Sequence, residues 1–501
     1  MPQLVLRAKG FWLALICAVA FVAYLPLLGS YYCGFDDFTE IYKAAFEDND
    51  SPSRMFTTTH QGTPKYRPLN RALTWATYRL GEGAAGVYRM RNLAGHVLCA
   101  YAIFQLASLG GQSVAGAGLT ALAFAVHPLA HQTVAAASWT NSSAYAAALW
   151  SWYLLASAWG LKRPLRRILG GSVLLLAALF SYEATIVIAG PMALTLAWRR
   201  WRKESPAAGW PALAVPLAAG VAGAIACLFV ARSIFVGGRM PMTPPLIIVK
   251  NLALYLGSMT LPVDLLLLNS WVGLPLPSQL ASNPSSLAVL GLLCLAPLIA
   301  AGLLWVYARR QAQPSTIWLW IWLATIPMAL SPFLINTDHA SETYLYLAVA
   351  ALCLLVGGAL ERWIQPRPAV AVAAVFLALA LPGTWARSGR VSACAATASE
   401  ILKSLPLDSW RTGQPLLYFS DEDGYVQPPR FGLYNTHGLG TIDVQADNVP
   451  VLQSALRVAT GNLALNARAL GAGDFAQACL NPLAECYKVS GRGVVRRQAG
   501  R

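Results

Sequence analysis

The chain has 501 residues, of which 56% are hydrophobic and only 12% are charged. This apolar content exceeds that of ordinary soluble domains. A formal net charge of +15 would suggest nucleic-acid binding in a soluble domain. Here the positive residues lie between apolar stretches, so they are better explained by membrane topology, and no nucleic-acid partner is expected. The composition predicts an α-helical polytopic membrane protein embedded in a lipid bilayer.

Apolar stretches long enough to cross a bilayer recur over most of the chain. They are Phe11 to Leu28, Leu93 to Leu109, Val114 to Leu129, Ala144 to Trp159, Ile168 to Phe180, Thr185 to Trp198, Pro211 to Val230, Leu287 to Tyr307, Ile317 to Leu330, Tyr344 to Leu360 and Ala369 to Leu381. The stretch 246–272 is interrupted by polar residues and a proline, so it forms either an interfacial hairpin or two further crossings. About 11–13 transmembrane helices are therefore expected.

Basic residues cluster in every second loop between these stretches. The clusters are Arg7 with Lys9, Lys162 to Arg167, Arg199 to Lys203, Arg309 with Arg310, and Arg362 with Arg367. Because positively charged loops stay in the cytoplasm, the N-terminus is predicted to be cytoplasmic and the C-terminal region to lie on the outer side. The first apolar stretch is interpreted as a retained anchor, since it lacks the small-residue cleavage site of a signal peptide.

The first outer loop, residues 30–92, is too polar to span and too long for a simple connection. Apolar residues recur within it at helical spacing, with polar residues between them. The apolar positions are Leu69, Ala72, Leu73, Ala76 and Leu80, and the polar ones are Asn70, Arg71, Thr74 and Tyr78. The pattern predicts an amphipathic helix near residues 69–80 on the membrane surface.

The last part of the chain, residues 385–501, has the composition of an ordinary soluble domain. Leu416 to Phe419 is typical of a strand, Asp421 to Gly424 of a turn and Val451 to Leu463 of a helix. A Cys479–Cys486 disulfide is expected if the compartment is oxidising. We therefore predict a transmembrane domain over residues 1–384 and a small outer, periplasmic α/β domain over residues 385–501.

Asp36 and Asp37 directly follow the first apolar stretch. Carboxylates at the edge of a bilayer cost energy and are often functional, although acids can also simply stabilise the start of the next helix. In a functional role they would act as a general base for an acceptor hydroxyl or as ligands of a divalent cation. No other cofactor is indicated by the sequence.

Arg67 stands immediately before Pro68, at the expected start of the surface helix. Proline restricts the preceding residue to extended conformations, which limits where the guanidinium can point. A phosphate is a natural partner for such a fork, and a snorkelling surface arginine is the simpler alternative.

His127 and His131 lie at the outer end of the third apolar stretch, four residues apart. This spacing can place two imidazoles on one helix face as a metal pair, but Pro128 disturbs the helix and no third ligand is evident. Phosphate contact or hydrogen bonding to the acids of the first loop is the preferred interpretation, with a structural capping role as the alternative. Glu183 and Glu342 also fall on the outer side, where each could be a simple loop acid.

Taken in order, several of these motifs resemble those of the GT-C glycosyltransferases. They are Asp36-Asp37, Tyr66-Arg67-Pro68-Leu69, Phe124-Ala125-Val126-His127-Pro128, Tyr182-Glu183 and Glu342-Thr343-Tyr344-Leu345-Tyr346. The likeness extends over about residues 11–360 and is strongest to the bacterial relatives of the transmembrane, TPR-bearing O-mannosyltransferases. In three places the pattern departs from that branch. The His-Pro-x-His motif becomes His127-Pro128-Leu129-Ala130 with His131 displaced by one, Gln132 stands where an acid is usual, and Thr343 where an arginine is usual. The TPR array is also missing.

The resemblance implies a multi-pass enzyme of a bacterial inner membrane. It would transfer a sugar from a polyprenyl-phosphate carrier to a hydroxyl of a protein, glycan or lipid acceptor on the periplasmic side. Asp36 or Asp37 would be the base, with Asp36 preferred and Asp37 as its orienter or a metal ligand. Arg67, His127 and His131 would bind the donor phosphate. Tyr66, Glu183, Glu342 and Tyr344 would contact substrate. A transporter or flippase, and a polysaccharide polymerase or ligase, are the competing hypotheses.

Overall fold

The computed structural model describes eleven parts of the chain. These are residues 2–32, 35–58, 66–190, 192, 199–200, 203–235, 342–363, 366–421, 451–470, 472–489 and 495–498. The predicted stretches Leu287 to Tyr307, Ile317 to Leu330 and 246–272 lie outside these residues, as do half of Thr185 to Trp198 and the turn beyond Asp421.

The described part of the chain is mostly helical. Its longer helices are α1 (Pro2–Leu28), α2 (Phe35–Tyr42), α3 (Pro68–Gly81), α4 (Ala85–Leu109), α5 (Val114–Ala125), α6 (His131–Ala135), α7 (Asn141–Ser157), α8 (Leu165–Ser181), α9 (Trp210–Phe235), α10 (Tyr346–Trp363) and α11 (Pro366–Ser404). Short helical turns lie at Lys43–Glu47, Asp48–Asp50, Arg54–Thr57, Pro128–Ala130, Ala158–Gly160, Glu183–Ile188, Glu342–Leu345 and Leu407–Trp410.

Four of the described helices are long and apolar enough to cross a membrane. They span Lys9–Leu28, Ala85–Leu109, Trp210–Ile234 and Thr343–Glu361. A fifth crossing is possible where α5 is followed by Pro128–Ala135 with a bend of 56°. Proline lacks a backbone N–H and cannot continue a helix from the preceding turn, which explains the break. Helices α7 and α8 have 17 residues each, the lower limit for a crossing.

The connections between the described helices collect at two ends. At one end, Arg89 at the start of α4 donates to the carbonyls of Tyr31 after α1 (2.6 Å) and Ala135 at the end of α6 (2.6 Å). We call this end, with residues 30–32, 35–58, 127–141, 182–185 and 342–345, the polar end. At the other, basic end the amide of Ala207 donates to Trp159 (3.1 Å), and the described basic segments at 162–167, 199–200 and 203 lie there.

The helix predicted near residues 69–80 is present as α3, but its polar side is the side that packs on the protein. Asn70, Arg71, Thr74 and Thr77 are buried, whereas Leu80 is 83% exposed. Arg71 forms an ion pair with Asp48 and donates to the hydroxyl of Thr58 (2.8 Å). The polar side is therefore a packing surface for the first outer loop. Contact of the apolar side with the membrane surface stays a prediction.

A four-stranded sheet follows α11, in the order β2-β1-β3-β4. Its elements are β1 (Leu416–Asp421), α12 (Val451–Thr460), β2 (Asn466–Ala469), α13 (Ala472–Ala478), β3 (Ala484–Val489) and β4 (Val495–Gln498). Strand β1 pairs in parallel with β2 and β3, and β4 is antiparallel to β3. The expected Cys479–Cys486 disulfide is present. The predicted boundary at residue 385 falls inside α11, which continues without a break to Ser404.

The sheet and α2 share one apolar core. Phe38 and Ile41 of α2 belong to the same buried cluster as Phe419 of β1 and Leu456 of α12. Arg457 of α12 lies over the ring of Tyr42, 5.8 Å from its centroid. The apolar side of the helix that carries Asp36 and Asp37 is therefore covered by the C-terminal segment.

Candidate functional site

Asp37 lies in the first turn of α2 and is 2% exposed. Its Oδ1 accepts a hydrogen bond from the backbone amide of Ser138 at 2.8 Å. The backbone amide therefore fixes the position of this buried carboxyl group at the polar end. The side chain of Asp36 lies outside the described part of the structure.

The surroundings of Asp37 are aromatic and cationic. Burial, followed by the nearby charges of Tyr88 and Asp37, raises the pKa of Tyr32 well above its ordinary value. The Tyr32 hydroxyl donates to Gly83 (2.5 Å). The guanidinium of Arg91 is near enough to Asp37 to interact with it electrostatically. Asp37 therefore lies in a buried pocket lined by tyrosine rings and a guanidinium.

Arg67 and Glu183 form a bidentate ion pair at the same end. Arg67 Nε donates to Glu183 Oε2 and Nη2 to Oε1, both at 2.7 Å, and the guanidinium lies over the Tyr182 ring, 4.6 Å from its centroid. Burial opposes the charge of Arg67, but the Glu183 carboxylate outweighs this effect and raises the pKa of the guanidinium. The two side chains are 17% and 25% exposed, so the pair remains accessible from outside. The backbone of Arg67 has φ −134° and ψ 63°, so it is neither helical nor in the extended conformation expected before Pro68. The partner of its guanidinium in this structure is an acid of the protein itself.

One of the two predicted substrate-contacting tyrosines, Tyr344, lies beside this ion pair. Tyr344 stacks on Tyr182 with ring centroids 6.2 Å apart. Tyr66 is buried and donates to the carbonyl of Phe56 at 2.9 Å; burial raises its pKa. The side chain of Glu342 lies outside the described part of the structure. Arg67, Glu183 and Tyr344, predicted from three distant stretches of sequence, thus come together in one place.

Thr343 connects the segment 342–345 to the rest of the polar end. Its amide donates to Gln132 Oε1 (2.9 Å), and its Oγ1 accepts from Asn141 Nδ2 (3.1 Å). Its carbonyl accepts from the hydroxyl of Tyr145 at 2.6 Å. Gln132 and Thr343 are two of the positions at which the sequence departs from the expected motif pattern, and here the Gln132 side chain accepts from the backbone amide of Thr343.

His127 and His131 do not share a helix face, in contrast to the expectation from their spacing. His127 has an extended backbone and caps the turn Pro128–Ala130, with Nδ1 accepting from the amide of Leu129 (3.2 Å). His131 begins α6, is fully buried and hydrogen-bonds Ser388 of α11 at 3.0 Å. Pro128 separates the two because it starts a new helical segment. Their contact with a donor phosphate stays a prediction.

Metal binding is not supported within the described residues, where no three His, Cys, Asp or Glu side chains come together as ligands would. A cation held by Asp36 and Asp37 stays a prediction.

Sequence reasoning missed the residues that hold this end together. Arg89, Arg91 and Asn92, in the first turns of α4, donate to backbone carbonyls of the loop between α6 and α7. The available signal was their position, because arginines inside a membrane-length helix are costly and usually have a defined partner. The partners could not be read from the sequence, since every residue carries a carbonyl.

Comparison with known proteins gave structural similarity only. No family model matches the chain, and no curated protein matches it by sequence. The ArnT structure from Cupriavidus metallidurans in the apo state is 14% identical, with a TM-score of 0.40 and coverage of 96% of this chain and 93% of that one. The same protein bound to undecaprenyl phosphate gives a TM-score of 0.38 at 14% identity, covering 95% and 93%.

The apo oligosaccharyltransferase from Archaeoglobus fulgidus is 12% identical, with a TM-score of 0.47, and covers 92% of this chain and 64% of that one. These neighbours are GT-C glycosyltransferases, the class that the order of motifs resembles. With TM-scores below 0.5, the similarities add nothing about substrate or mechanism. The likeness to the O-mannosyltransferase branch stays a prediction.

Proposed function

We propose that this chain is an integral membrane glycosyltransferase that transfers a sugar from a polyprenyl-phosphate carrier to an acceptor hydroxyl. The observation that carries the proposal is the buried carboxylate of Asp37, held by the Ser138 amide at 2.8 Å directly beyond the first apolar helix. The rigid fork of Arg67 lies at the same end. A base and a cation at a membrane edge suit a reaction whose donor is anchored in lipid.

In this reaction the base removes the proton of the acceptor hydroxyl while its oxygen attacks the anomeric carbon. The bond between that carbon and the phosphate oxygen breaks, and the electron pair leaves with the phosphate. Asp37 is the base for which the structure gives a geometry, and Asp36 is the second candidate. The acceptor can be a protein, a glycan or a lipid.

Arg67 is proposed to stabilise the charge that develops on the departing phosphate. Its planar fork matches a phosphate as well as a carboxylate, so a donor phosphate can compete for the guanidinium with Glu183. Tyr344, stacked beside Tyr182, is proposed to line the sugar-binding surface with Tyr66. His127 and His131 lie deeper and are assigned a weaker part in phosphate binding.

The polar end is proposed to face the periplasm of a bacterial inner membrane, with the N-terminus in the cytoplasm and the C-terminal α/β domain outside. The alternation of basic loops supports this orientation. An alkaline phosphatase fusion after Gly413 should be active, and a fusion after Lys162 should be inactive. The opposite pattern would reverse the proposed side of the site.

The test of the enzymatic proposal uses purified protein with a radiolabelled polyprenyl-phosphate sugar and a membrane extract as the source of acceptor. Asp37→Asn should lower turnover by about 10²–10⁴-fold, as loss of a positioned base does, and Asp36→Asn is measured beside it. Asp408→Asn is the control, because that acid is 92% exposed and pairs with Arg411. Parental turnover in both Asp36→Asn and Asp37→Asn would overturn the catalytic role. Transport of the labelled lipid without transfer of sugar would favour a flippase.

A further inference from the structure

A turn of α4 with the sequence Arg89-Met90-Arg91-Asn92 holds the loop that approaches Asp37. Asn92 Nδ2 donates to the carbonyl of Ala136 at 2.7 Å. Arg91 Nη2 donates to the carbonyls of Ala137 at 2.9 Å and Trp139 at 2.8 Å. The carbonyls of this loop therefore point toward α4, in a row fixed by two neighbouring side chains.

The geometry of one peptide bond connects these contacts to Asp37. The carbonyl of Ala137 and the N–H of Ser138 belong to the same planar peptide, and in a trans peptide they point in opposite directions. Arg91 and Asn92 (3.3 Å) both hold the Ala137 carbonyl. The N–H of Ser138 is consequently directed away from α4, where it meets Asp37 Oδ1 at 2.8 Å.

Arg91 and Asn92 also hold each other. Asn92 Oδ1 accepts from Arg91 Nε at 3.1 Å and from Nη2 at 3.0 Å. Arg91 Nη1 donates to Thr77 Oγ1 of α3 at 3.2 Å, and its guanidinium lies over the ring of Tyr88, 5.2 Å from the centroid. Each of these contacts restricts the guanidinium of Arg91, which holds the loop 136–140. The orientation of the Ser138 amide is therefore set by several hydrogen bonds rather than by one.

We propose that Arg91 and Asn92 are positioning residues of the transfer reaction, which act by aiming the Ser138 amide at the carboxylate of Asp37. This inference rests on the proposed function. It assigns no substrate contact to either residue. Loss of the network should leave the donor bound but the base misplaced, so kcat falls while the KM for the donor is unchanged.

The test compares Asn92→Leu with the parent. This substitution keeps the approximate size of the side chain and changes no charge near Asp37, but it removes the donor to Ala136 and Ala137 and the acceptor for Arg91. We expect kcat to fall by about 10–100-fold, the scale of a small misplacement of a catalytic group, with the KM for the polyprenyl-phosphate sugar within about twofold of the parent. Hydrogen exchange of the peptide covering residues 136–140, followed by mass spectrometry, should become faster.

Gln112→Leu is the matched control. Gln112 also joins two segments, donating to the Leu354 carbonyl (3.3 Å) and accepting from Thr120 (2.9 Å), but it lies at the basic end. Its kcat and the exchange of residues 136–140 should match the parent. If Asn92→Leu does not fold, Thr77→Val removes one contact of the network with a side chain of the same shape and should give a smaller change in the same direction.

Sugar transfer and hydrogen exchange together distinguish a failure of the positioning role from a failure of the proposed function. If the parent transfers no sugar, or if Asp36→Asn and Asp37→Asn both retain activity, the proposed function fails. If the parent is active and Asn92→Leu, or Thr77→Val in its place, shows parental kcat and parental exchange of residues 136–140, the positioning role is wrong. A rise in KM at parental kcat would also overturn it, because it would indicate a substrate-binding residue.

Discussion

Arginine has different surroundings at the two ends of the helical bundle. At the polar end Arg71 and Arg89 are 6% and 1% exposed, and each donates to several protein oxygens. At the basic end Lys162, Arg163 and Arg166 are exposed. Arg199 and Arg200 there lie over the rings of Trp159 and Trp210, at 4.9 and 4.7 Å.

The comparison shows that positively charged residues have different roles at the two ends of the helical bundle. A buried guanidinium with fixed acceptors organises the polypeptide around it, because an unpaired buried charge is very costly. An exposed cation contributes little to stability, and its effect is on topology through its position relative to the membrane. Four substitutions, from the largest expected effect to the smallest, test this distinction.

The largest effect is expected for Arg71→Met. This change leaves the carboxylate of Asp48, 2% exposed, buried without its cation. Removal of one partner from a buried pair costs about 3–5 kcal/mol, so the thermal unfolding midpoint of detergent-purified protein should fall strongly. The double variant Arg71→Met/Asp48→Leu should recover most of the loss, since it removes both charges. An unchanged midpoint for Arg71→Met alone would mean that burial does not decide the role of this arginine.

The second effect concerns the disulfide of the C-terminal domain, which packs on the polar end. Cys479→Ser/Cys486→Ser opens a loop with a sequence separation of 7, which should cost about 2–3 kcal/mol in the chain-entropy model. Reducing agent should lower the unfolding midpoint of the parent by a similar amount and leave the double variant unchanged. Quantitative alkylation of both cysteines in freshly isolated cells would contradict an oxidising location for this end.

A smaller effect is expected for Arg67→Lys. An ammonium keeps the charge but cannot form the two parallel bonds to Glu183, and the loss of one such bond should cost about 1 kcal/mol. Affinity for the polyprenyl-phosphate donor, measured by calorimetry, should fall together with stability. Glu183→Gln is the companion variant, because it weakens the same pair without touching the proposed phosphate ligand. If Arg67→Lys binds donor as tightly as the parent, the phosphate role of Arg67 is lost.

The smallest effect is expected for Lys162→Gln/Arg163→Gln at the basic end. These side chains are exposed, so the free energy of unfolding should change by less than about 0.5 kcal/mol. The same variant should increase the fraction of inverted molecules, measured with the reporter fusions, because two positive charges leave a loop that is proposed to be cytoplasmic. A large loss of stability would show that this cluster is structural after all.

Local patterns in the sequence were sufficient for several elements. The helix at Pro68–Gly81, the strand from Leu416, the helix from Val451 and the Cys479–Cys486 bond all follow from periodicity, turn residues or spacing. Each of these depends on residues near one another in the chain, and local propensities act over the same range.

The partners across the fold could not be predicted in the same way. Glu183 is 116 residues from Arg67, and nothing at either position specifies the other. The polar side of α3 is buried because Arg71 forms an ion pair with Asp48. The helical pattern in the sequence does not distinguish a buried polar side from a solvated one. His127 and His131 have the spacing of a helical pair, but Pro128 overrides it.

The shared core of α2 and the C-terminal domain has a consequence for biosynthesis. Tyr42 and its partner Arg457 are 415 residues apart, and at about 5–20 residues per second the ribosome needs about 20–80 s to cover that distance. Throughout this time Phe38 and Ile41 lack the side chains that later cover them. Chains released before α12 are therefore expected to carry an uncovered α2 and no finished site, and to be substrates for membrane proteases rather than partly active enzymes.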